Sequence, residues 1–276
     1  MCLILLAFKA HPDADVVLAG NRDEYIARPS APPAVIGQNP VIHAGLDLEA
    51  GGTWMGRNEH GLLAALTNTR DPAFSDPPDV LSRGGIVRGL LEHRDPEGAA
   101  AWLATQDPDR YRPFNVLFGN GEAFFSYASR GGSTPILLQP GFHALSNSTL
   151  NDRSWPKVMR SHNFFTRYRQ QPGEAFLMAL QAFLCDPTPP DTLPAEDREE
   201  EIHGPLGAVF IGTPGYGTVS ASIITSGGSL GERYYFAEAG AMHTAQSVWA
   251  QPLVGNGGEP PSSPEGSPFK MMEFPD

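Results

Sequence analysis

The sequence predicts an α+β protein, a layered sandwich in which helices cover stacked, mainly antiparallel sheets. Apolar runs and helical patterns alternate along the chain in the order strands, helix pair, strands, helix pair, strands. Thirty glycines and twenty-seven prolines interrupt these elements, which favours short strands joined by turns over a long helical bundle. Because two helix pairs separate three groups of strands, we expect the helices to lie outside the sheets.

The first two apolar runs predict a β-hairpin. Residues 3–8 and 16–19 are apolar at almost every position, and turn-forming residues 11–15 separate them. A continuous apolar run is typical of a strand that is covered on both faces. The second run ends in polar residues 21–24, and the proline-rich stretch 29–40 is predicted to be a loop.

A second hairpin, two helix pairs and further strands follow. The hairpin covers residues 51–67, and Ser82 and Asp95 are the predicted N-caps of the first helix pair. Further strands are predicted between residues 114 and 146. The second helix pair is predicted at 155–169 and 176–184, with a break at Pro172-Gly173. A solvated acidic loop is predicted at 186–201, and the last strands at 206–211, 218–225 and 233–236.

Composition limits the domain organisation and the partners. Residues 1–250 are predicted to form one domain, and residues 251–276 a tail rich in Pro, Gly and Ser. The formal net charge of -12 argues against nucleic-acid binding. No apolar stretch approaches ~18 residues, so no stable membrane insertion is expected. Two cysteines, Cys2 and Cys185, indicate a reducing, cytoplasmic compartment, and the histidine spacing predicts no metal site.

Cys2 is the first candidate for chemistry. If Met1 is removed, Cys2 carries both a thiol, which titrates near ~8.5, and an α-amine, which titrates near ~7.7–8.0. A nucleophile and a base would then share one residue. The alternative interpretation is an ordinary strand start without chemistry.

Polar residues end three of the predicted strands, at Asn21, Asn68 and Asn147. Strand ends are positions where a scaffold presents functional groups. An antiparallel hairpin would bring Cys2 to the end of the second strand, beside Asn21. The alternative is that these residues only form turns, for which Asn and Asp are common.

The polar residues expected near Cys2 suit specific catalytic roles. Asp23 could hold the α-ammonium or receive its proton, and Arg22 or Arg28 would lower the pKa of the thiol. Side-chain amides of Asn68 or Asn147 could stabilise an oxyanion. In the alternative interpretation, Arg22 and Asp23 form an ion pair that closes the hairpin.

Cys2 together with Asn21-Arg22-Asp23-Glu24 resembles the NRDE family, which includes the transport and Golgi organisation protein 2 group. The resemblance extends from the N-terminus to about residue 238. The other motifs that carry it are Ala27-Arg28-Pro29, Ala44-Gly45-Leu46-Asp47-Leu48, Gly51-Gly52-Thr53-Trp54-Met55-Gly56, Asn58-Glu59-His60-Gly61, Ala64-Ala65-Leu66-Thr67-Asn68, Leu81-Ser82-Arg83-Gly84, Phe114-Asn115, His143-Ala144-Leu145-Ser146-Asn147, Trp155-Pro156-Lys157 and Tyr216-Gly217-Thr218.

This family is similar to N-terminal-nucleophile hydrolases of the choloylglycine hydrolase and penicillin V acylase type. The similarity implies a four-layer αββα sandwich, removal of the initiator methionine and cleavage of amide bonds through a thioester. It implies that Cys2 is the nucleophile and that Asp23 is the carboxylate near the α-amine. Arg22 corresponds loosely to the arginine of the motif, because the residue order around it differs, and Asn68 and Asn147 correspond to the oxyanion donors.

One position departs from the family pattern. Relatives often have Tyr-Gly-Thr-Arg where this chain has Tyr216-Gly217-Thr218-Val219, and Val219 carries no charge. Either Arg22 or Arg233 supplies the positive charge beside the nucleophile, or the hydrolytic constellation is incomplete in this chain.

The resemblance also implies a ligand, because family members are linked to haem and to acyl-CoA or lipid handling. A haem site would need an apolar pocket and an axial ligand, for which Cys2, His43 and His60 are the candidates. Both histidines could equally be surface residues, and Trp54 could be a pocket wall or a core aromatic. Asn21, Glu24 and Arg28 complete the predicted ligand-binding set.

The sequence therefore predicts a cysteine hydrolase of the N-terminal-nucleophile type. Its expected substrate is a small apolar or acyl-bearing molecule with a C–N (amide) bond, and no cofactor is required. The alternative is a non-catalytic carrier that binds haem, acyl-CoA or a lipid in the same cleft. A trafficking adaptor, which would bind no small molecule, is a third class. The oligomeric state is not predicted.

Overall fold

The computed structural model describes residues 2–69, 74–75, 79–131, 134–190, 204–249 and 267–273. Within these ranges there are thirteen strands and five α-helices. The strands are β1 Leu3–His11, β2 Ala14–Tyr25, β3 Ser30–Gln38, β4 Val41–Asp47, β5 Met55–Asn58, β6 Leu63–Asn68, β7 Phe114–Gly119, β8 Phe124–Ala128, β9 Ile136–Leu137, β10 Gly141–Leu145, β11 Tyr216–Ser226, β12 Arg233–Glu238 and β13 Lys270–Met271. The helices are α1 Gly84–Leu91, α2 Pro96–Leu103, α3 Pro156–Tyr168, α4 Gly173–Leu184 and α5 Ala239–Trp249.

The strands form two antiparallel sheets. Sheet A has the strand order β10-β1-β2-β11-β12-β13, and sheet B has the order β3-β4-β5-β6-β7-β8-β9. The predicted first hairpin is confirmed as β1 and β2, in which Leu3 pairs with Asn21. The second is confirmed as β5 and β6, in which Met55 pairs with Ala65.

Three separate apolar cores define the layers. One core joins α3 and α4 to sheet A, a second fills the space between the sheets, and a third joins α1 and α2 to sheet B. The order of layers is therefore helix, sheet, sheet, helix, which confirms the predicted αββα sandwich.

The side chains of β1 explain why residues 3–8 are all apolar. Leu3 and Leu5 belong to the core beneath the helices, whereas Ile4 and Leu6 belong to the core between the sheets. Successive residues of a strand point to opposite faces, so a strand covered on both sides needs apolar residues throughout. Burying each of these side chains contributes about 1.5–3 kcal/mol.

Three predictions at the level of elements are corrected. The proline-rich segment predicted as a loop forms β3, an edge strand, where proline can be accommodated because one side of the strand needs no partner. The predicted strand 206–211 contains instead a short 3₁₀ helix, Pro205–Gly207. Helix α1 has Arg83 at its N-cap and no side-chain cap, so Ser82 is not the cap. The Asp95 cap of α2 is confirmed, because its carboxylate accepts from Gly98 N–H at 2.7 Å.

Part of the predicted tail packs onto the sandwich. Strand β13 pairs with β12 at the edge of sheet A, and Phe269 is buried against the core beneath the helices. Residues 251–266 of the predicted tail and residues 191–201 of the predicted acidic loop lie outside the described residues. Among the residues that are described, no helix is both long enough and apolar enough to cross a bilayer.

Candidate functional site

The register of β1 and β2 places Cys2 beside the end of β2. Leu3 pairs with Asn21, so Cys2 lies opposite the next residues of β2, and its Sγ is 3.8 Å from the backbone oxygen of Asp23. Strand alternation then assigns the side chains: Asn21 points to the helix layer, and Arg22 shares the inter-sheet side with Cys2.

A cavity of about 390 Å³ opens at Cys2, which is within the range of small-molecule sites. Its wall comes from both sheets and from the start of α1. The residues that line it are Cys2, Arg22, Asp23, Glu24, Arg28, Asp47, Ala50, Gly52, Thr53, Trp54, Leu66, Asn68, Val80, Leu81, Ser82, Arg83, Gly84 and Arg112.

Asp23 is held by a buried ion pair beneath the cavity. Its Oδ2 lies 2.7 Å from Lys157 Nζ, and its Oδ1 accepts from Thr218 Oγ1 at 2.7 Å. The side chains of Asp23 and Lys157 are 0% and 2% exposed. The carboxylate therefore faces α3 and β11, and the group of Asp23 that contacts the Cys2 thiol is its backbone carbonyl.

Arg22 forms part of the cavity wall through two contacts. Its Nη2 donates to Asp47 Oδ2 at 3.2 Å, and its guanidinium carbon lies 4.7 Å from the centre of the Trp54 ring. Arg28 Nε donates to the same Asp47 oxygen at 2.8 Å. Burial opposes ionisation of Asp47, but hydrogen bonds from Arg28 and from Ala50 N–H outweigh it and hold the pKa of this carboxyl below its ordinary value.

Hydrogen bonds tie the strand ends around Cys2 together. Ser146 Oγ donates to the Cys2 carbonyl at 3.1 Å, and Thr67 Oγ1 donates to the Ser146 carbonyl at 2.7 Å. Asn147 Nδ2 donates to the Asn68 backbone oxygen at 2.6 Å. Asn68 lines the cavity, whereas Asn147 does not, so Asn147 positions the strand that carries Asn68.

The cavity also depends on the close approach of two glycines. A Cβ atom on Gly52 would lie 2.6 Å from the Cα of Gly84, the first residue of α1. Thr53 N–H donates to the Gly84 carbonyl at 3.3 Å. The absence of a side chain at Gly52 thus lets α1 begin directly at the cavity wall.

The ionisation of the thiol follows from its surroundings. Cys2 is partly exposed, yet burial of its side chain raises the pKa of the thiol above the ordinary value. The N-terminal ammonium, the hydrogen bond to the Asp23 backbone carbonyl and Lys157 lower this pKa, and the charge of the Asp23 carboxylate raises it further. The resting group is therefore a thiol, which needs a base before it can act as a nucleophile.

Three predicted ligand residues and Val219 lie elsewhere. Asn21 donates both amide hydrogens to the carbonyls of Leu184 and Val209, which corrects the expectation that it faces a ligand. His43 is on β4 and His60 is in the turn after β5, and neither lines the cavity. Val219 sits at a register shift in β11 and lines a second cavity, of about 530 Å³.

Neither Val219 nor Arg233 supplies positive charge at Cys2. Arg233 donates to Glu174 and to Tyr235 and is absent from the described cavity wall, whereas Arg22 is part of it. Two arginines were candidates for the charge that relatives carry at the position of Val219. Of these, only Arg22 is among the residues that line the described cavity wall.

The site contains five residues that the sequence patterns did not indicate. Arg112 had no signal at all. The other four lie inside motifs that carried the family resemblance, but no pattern in the sequence indicated a role: Asp47, Arg83, Lys157 and Thr218. Within the described part of the chain, no group of His, Cys, Asp and Glu side chains could hold a metal ion.

A model of the family described as Transport and Golgi organisation 2 matches residues 1–238. The chain belongs to the Transport and Golgi organisation 2 family. Two relatives are the Transport and Golgi organization protein 2 homologs of Bos taurus and Homo sapiens. They are 30% identical over 245 residues and 31% identical over 251 residues, and each alignment covers 81% of this chain and 88% of the relative.

A solved structure shares the fold of this chain. The N-acylethanolamine-hydrolyzing acid amidase ortholog of Caenorhabditis elegans superposes with a TM-score of 0.50 and 10% identity. The match covers 81% of this chain and 92% of the other. It agrees with the predicted N-terminal-nucleophile fold class.

Proposed function

We propose that this protein is a cysteine hydrolase of the N-terminal-nucleophile type, acting on the amide bond of a small apolar or acyl-bearing substrate. The observation that carries the proposal is the position of Cys2. Its thiol lies at the wall of a 390 Å³ cavity, on the same wall as Asn68 and Arg22. A nucleophile, an oxyanion donor and a cation therefore face one substrate-sized space.

The raised pKa of the Cys2 thiol explains why the proposed mechanism needs Cys2 to be the first residue of the mature chain. A buried thiol needs a nearby base, and the α-amine of an exposed Cys2 would be that base. The α-amine would lie within one residue of the sulfur and would titrate near ~7.7–8.0. We propose that removal of Met1 activates the site, and that a reducing cytoplasm keeps the thiol free.

The reaction follows in two steps. The α-amine takes the thiol proton, and Sγ attacks the substrate carbonyl carbon while the Asn68 amide donates to the resulting oxyanion. The C–N bond breaks, and the leaving amine takes the proton from the α-ammonium. Water then attacks the thioester with the same α-amine as base, which releases the acid and restores the thiol.

The surrounding residues position this chemistry. The ion pair between Asp23 and Lys157 fixes the backbone carbonyl that contacts Sγ, and Asn147 fixes Asn68. Arg22 adds positive charge on the side where the oxyanion develops. The structurally similar nematode protein is named as a hydrolase of N-acylethanolamines, which contain an amide bond.

Intact-mass measurement with an electrophilic probe tests the proposal. We expect the mature chain to lack Met1 and to gain one probe at Cys2, with turnover of a fluorogenic N-acyl amide lost in Cys2→Ala. A chain with one extra residue before Cys2 is the matched control, because it keeps the thiol and displaces the α-amine. Full turnover by that extended chain would refute α-amine catalysis.

A second candidate function, a carrier for an apolar ligand such as haem or an acyl lipid, is favoured by one observation. Val80 and Leu81 line the cavity, yet they remain 37% and 36% exposed. A carrier would bind ligand equally well with Cys2→Ala and would show no turnover. For haem, a saturable Soret band that is lost in Cys2→Ala would indicate thiolate ligation, because neither His43 nor His60 lines the cavity.

A further inference from the structure

The indole ring of Trp54 lies in the cavity wall and is held between two strands. On one face of the ring, the guanidinium carbon of Arg22 in β2 lies 4.7 Å from the ring centre. At its benzene edge, the ring lies against Gly45 of β4. Trp54 also packs against the core between the sheets, and the cavity at Cys2 adjoins the rest of the side chain.

The ring reaches this position because residue 45 has no side chain. A Cβ atom on Gly45 would lie 2.6 Å from Trp54 Cη2 and 2.7 Å from Trp54 Cζ2. Both distances are well below the optimal carbon–carbon separation of about 3.5–4.0 Å. The next nearest atom, the backbone oxygen of Ala31, would be 3.3 Å away. The indole is therefore the group that has to move when residue 45 gains a side chain.

Strand β4 presents Gly45 to the space between the sheets. Ala44 belongs to the core that joins α1 and α2 to sheet B, and successive residues of a strand face opposite sides. Gly45 and Asp47 therefore share the opposite side of the strand, where Asp47 accepts a hydrogen bond from Arg22 at 3.2 Å. The same strand thus controls the edge of the indole directly and its face through Arg22.

The surroundings of the ring leave the cavity as the direction for its displacement. Arg22 is 4% exposed and is held by Asp47, so it blocks one face of the indole. The backbone of Trp54 is held at the next strand, because its carbonyl accepts from Leu66 N–H at 2.9 Å. Side chains already fill the core between the sheets. A ring that is pushed away from Gly45 therefore enters the cavity and makes it smaller.

We propose that Gly45 limits the length of the apolar chain that the cavity accepts, because it fixes the position of the Trp54 ring. Gly45 is a positioning residue that does not touch the substrate, and the ring is the surface where the chain ends. The inference rests on the proposed function for the substrate, an amide with an apolar acyl part. Each methylene that enters the cavity raises the affinity about fourfold until the chain meets the ring.

Amides of 7-amino-4-methylcoumarin with straight acyl chains, from acetyl to dodecanoyl, measure this limit in two ways. The wild-type protein gives kcat/KM against chain length from the released fluorophore. Calorimetric titration of Cys2→Ala with the same series gives Kd without turnover. We expect both quantities to improve about fourfold per methylene up to an optimal length and to improve no further beyond it.

Two substitutions should move the optimum in opposite directions. Gly45→Ala should favour shorter chains, because the displaced ring makes the cavity smaller. Trp54→Leu should favour longer chains, with roughly 10-fold tighter binding of the chain two carbons beyond the wild-type optimum. The double variant should match Trp54→Leu, because leucine lacks the ring atoms that the new Cβ would meet.

Gly141→Ala is the matched control for a glycine-to-alanine change within a strand. Gly141 begins β10 and is not among the residues that line the described cavity wall. A Cβ at this position would lie 3.7 Å from the nearest contacting atom, which is an ordinary van der Waals distance. The dependence on chain length should therefore equal that of the wild-type protein.

An unchanged optimum in a folded Gly45→Ala protein would overturn the proposal, as would a Gly45→Ala shift that persists with Trp54→Leu. The absence of saturable binding by every probe would overturn it as well. If Gly45→Ala does not fold by itself, recovery of folding in the double variant supports the clash with Trp54, and no recovery overturns it.

The two readouts separate this proposal from the proposed function. Binding with an optimum that both variants move as expected, but without turnover by the wild-type protein, would refute the hydrolase and leave the role of Gly45 standing. Turnover with an optimum that neither variant moves would overturn the role of Gly45 and leave the hydrolase standing.

Discussion

The buried ion pair between Asp23 and Lys157 gives a quantitative test of the site's architecture. Lys157→Met replaces the ammonium with an apolar group of similar length and leaves Asp23, whose side chain is 0% exposed, with the hydrogen bond from Thr218. An uncompensated carboxylate would then remain in the interior, at the point where β2, α3 and β11 meet.

The expected cost follows from the geometry. At 2.7 Å the attraction between the two charges is about 6 kcal/mol for an effective dielectric constant of about 20. Desolvation of each ion costs several kcal/mol, so the intact pair is close to neutral for stability. Removing one partner loses the attraction but keeps the desolvation of the other. Lys157→Met should therefore destabilise the fold by about 3–5 kcal/mol.

Urea unfolding followed by tryptophan fluorescence measures this change. Asp23→Asn and the double variant complete a cycle, in which the double variant should cost about 1–3 kcal/mol less than the sum of the single variants. The matched control is Arg88→Met, which breaks an exposed pair with Glu92 and should cost at most about 0.5 kcal/mol. A cost below about 1 kcal/mol for Lys157→Met, or additive single changes, would show that the ion pair does not hold the site.

Three further predictions concern the two cysteines and two residues of the cavity wall. Cys185, 2% exposed with a pKa raised to about 12 by burial, should stay unmodified by iodoacetamide at pH 8 while Cys2 reacts, as peptide mapping would show. Because the pKa of Asp47 is lower in the folded state, its ionised carboxylate stabilises the fold above about pH 4, and this contribution is lost as pH falls through the folded-state pKa. In Asp47→Asn, the free energy of unfolding in urea should therefore fall less steeply between neutral and acidic pH. Gly52→Ala should cost about 1–3 kcal/mol, because its Cβ would meet Gly84 at 2.6 Å; an unchanged Tm would refute the close approach.

Patterns local in the chain predicted most elements of the fold. The unbroken apolar run of β1 indicated a strand covered on both faces, and the structure places one face against α3 and α4 and the other against sheet B. The pattern failed where tertiary position overrides propensity. Prolines in β3 indicated a loop, but at the edge of sheet B the strand needs fewer hydrogen bonds, so the prolines are accommodated.

The site was predictable only in part for a similar reason. Hairpin geometry alone indicated that Cys2 would meet the end of β2, and the register confirms that neighbourhood. It could not indicate which face each side chain occupies until the layers were known. Because successive side chains of a strand point to opposite faces, Asn21 points to the helix layer and Arg22 points to the cavity. Adjacent residues of one motif therefore have different roles.

By itself, the sequence determined a layered sandwich with helices outside stacked sheets, and the placing of Cys2 beside the Arg22–Asp23 segment, because apolar periodicity and pairing within a hairpin are local properties. The four-layer αββα order was implied by the family resemblance. Only the tertiary structure decided that Lys157 neutralises Asp23 and that Arg83 joins Arg22 at one cavity. Those contacts join residues far apart in the chain. Their strength depends on burial, which exists only once all four layers have packed.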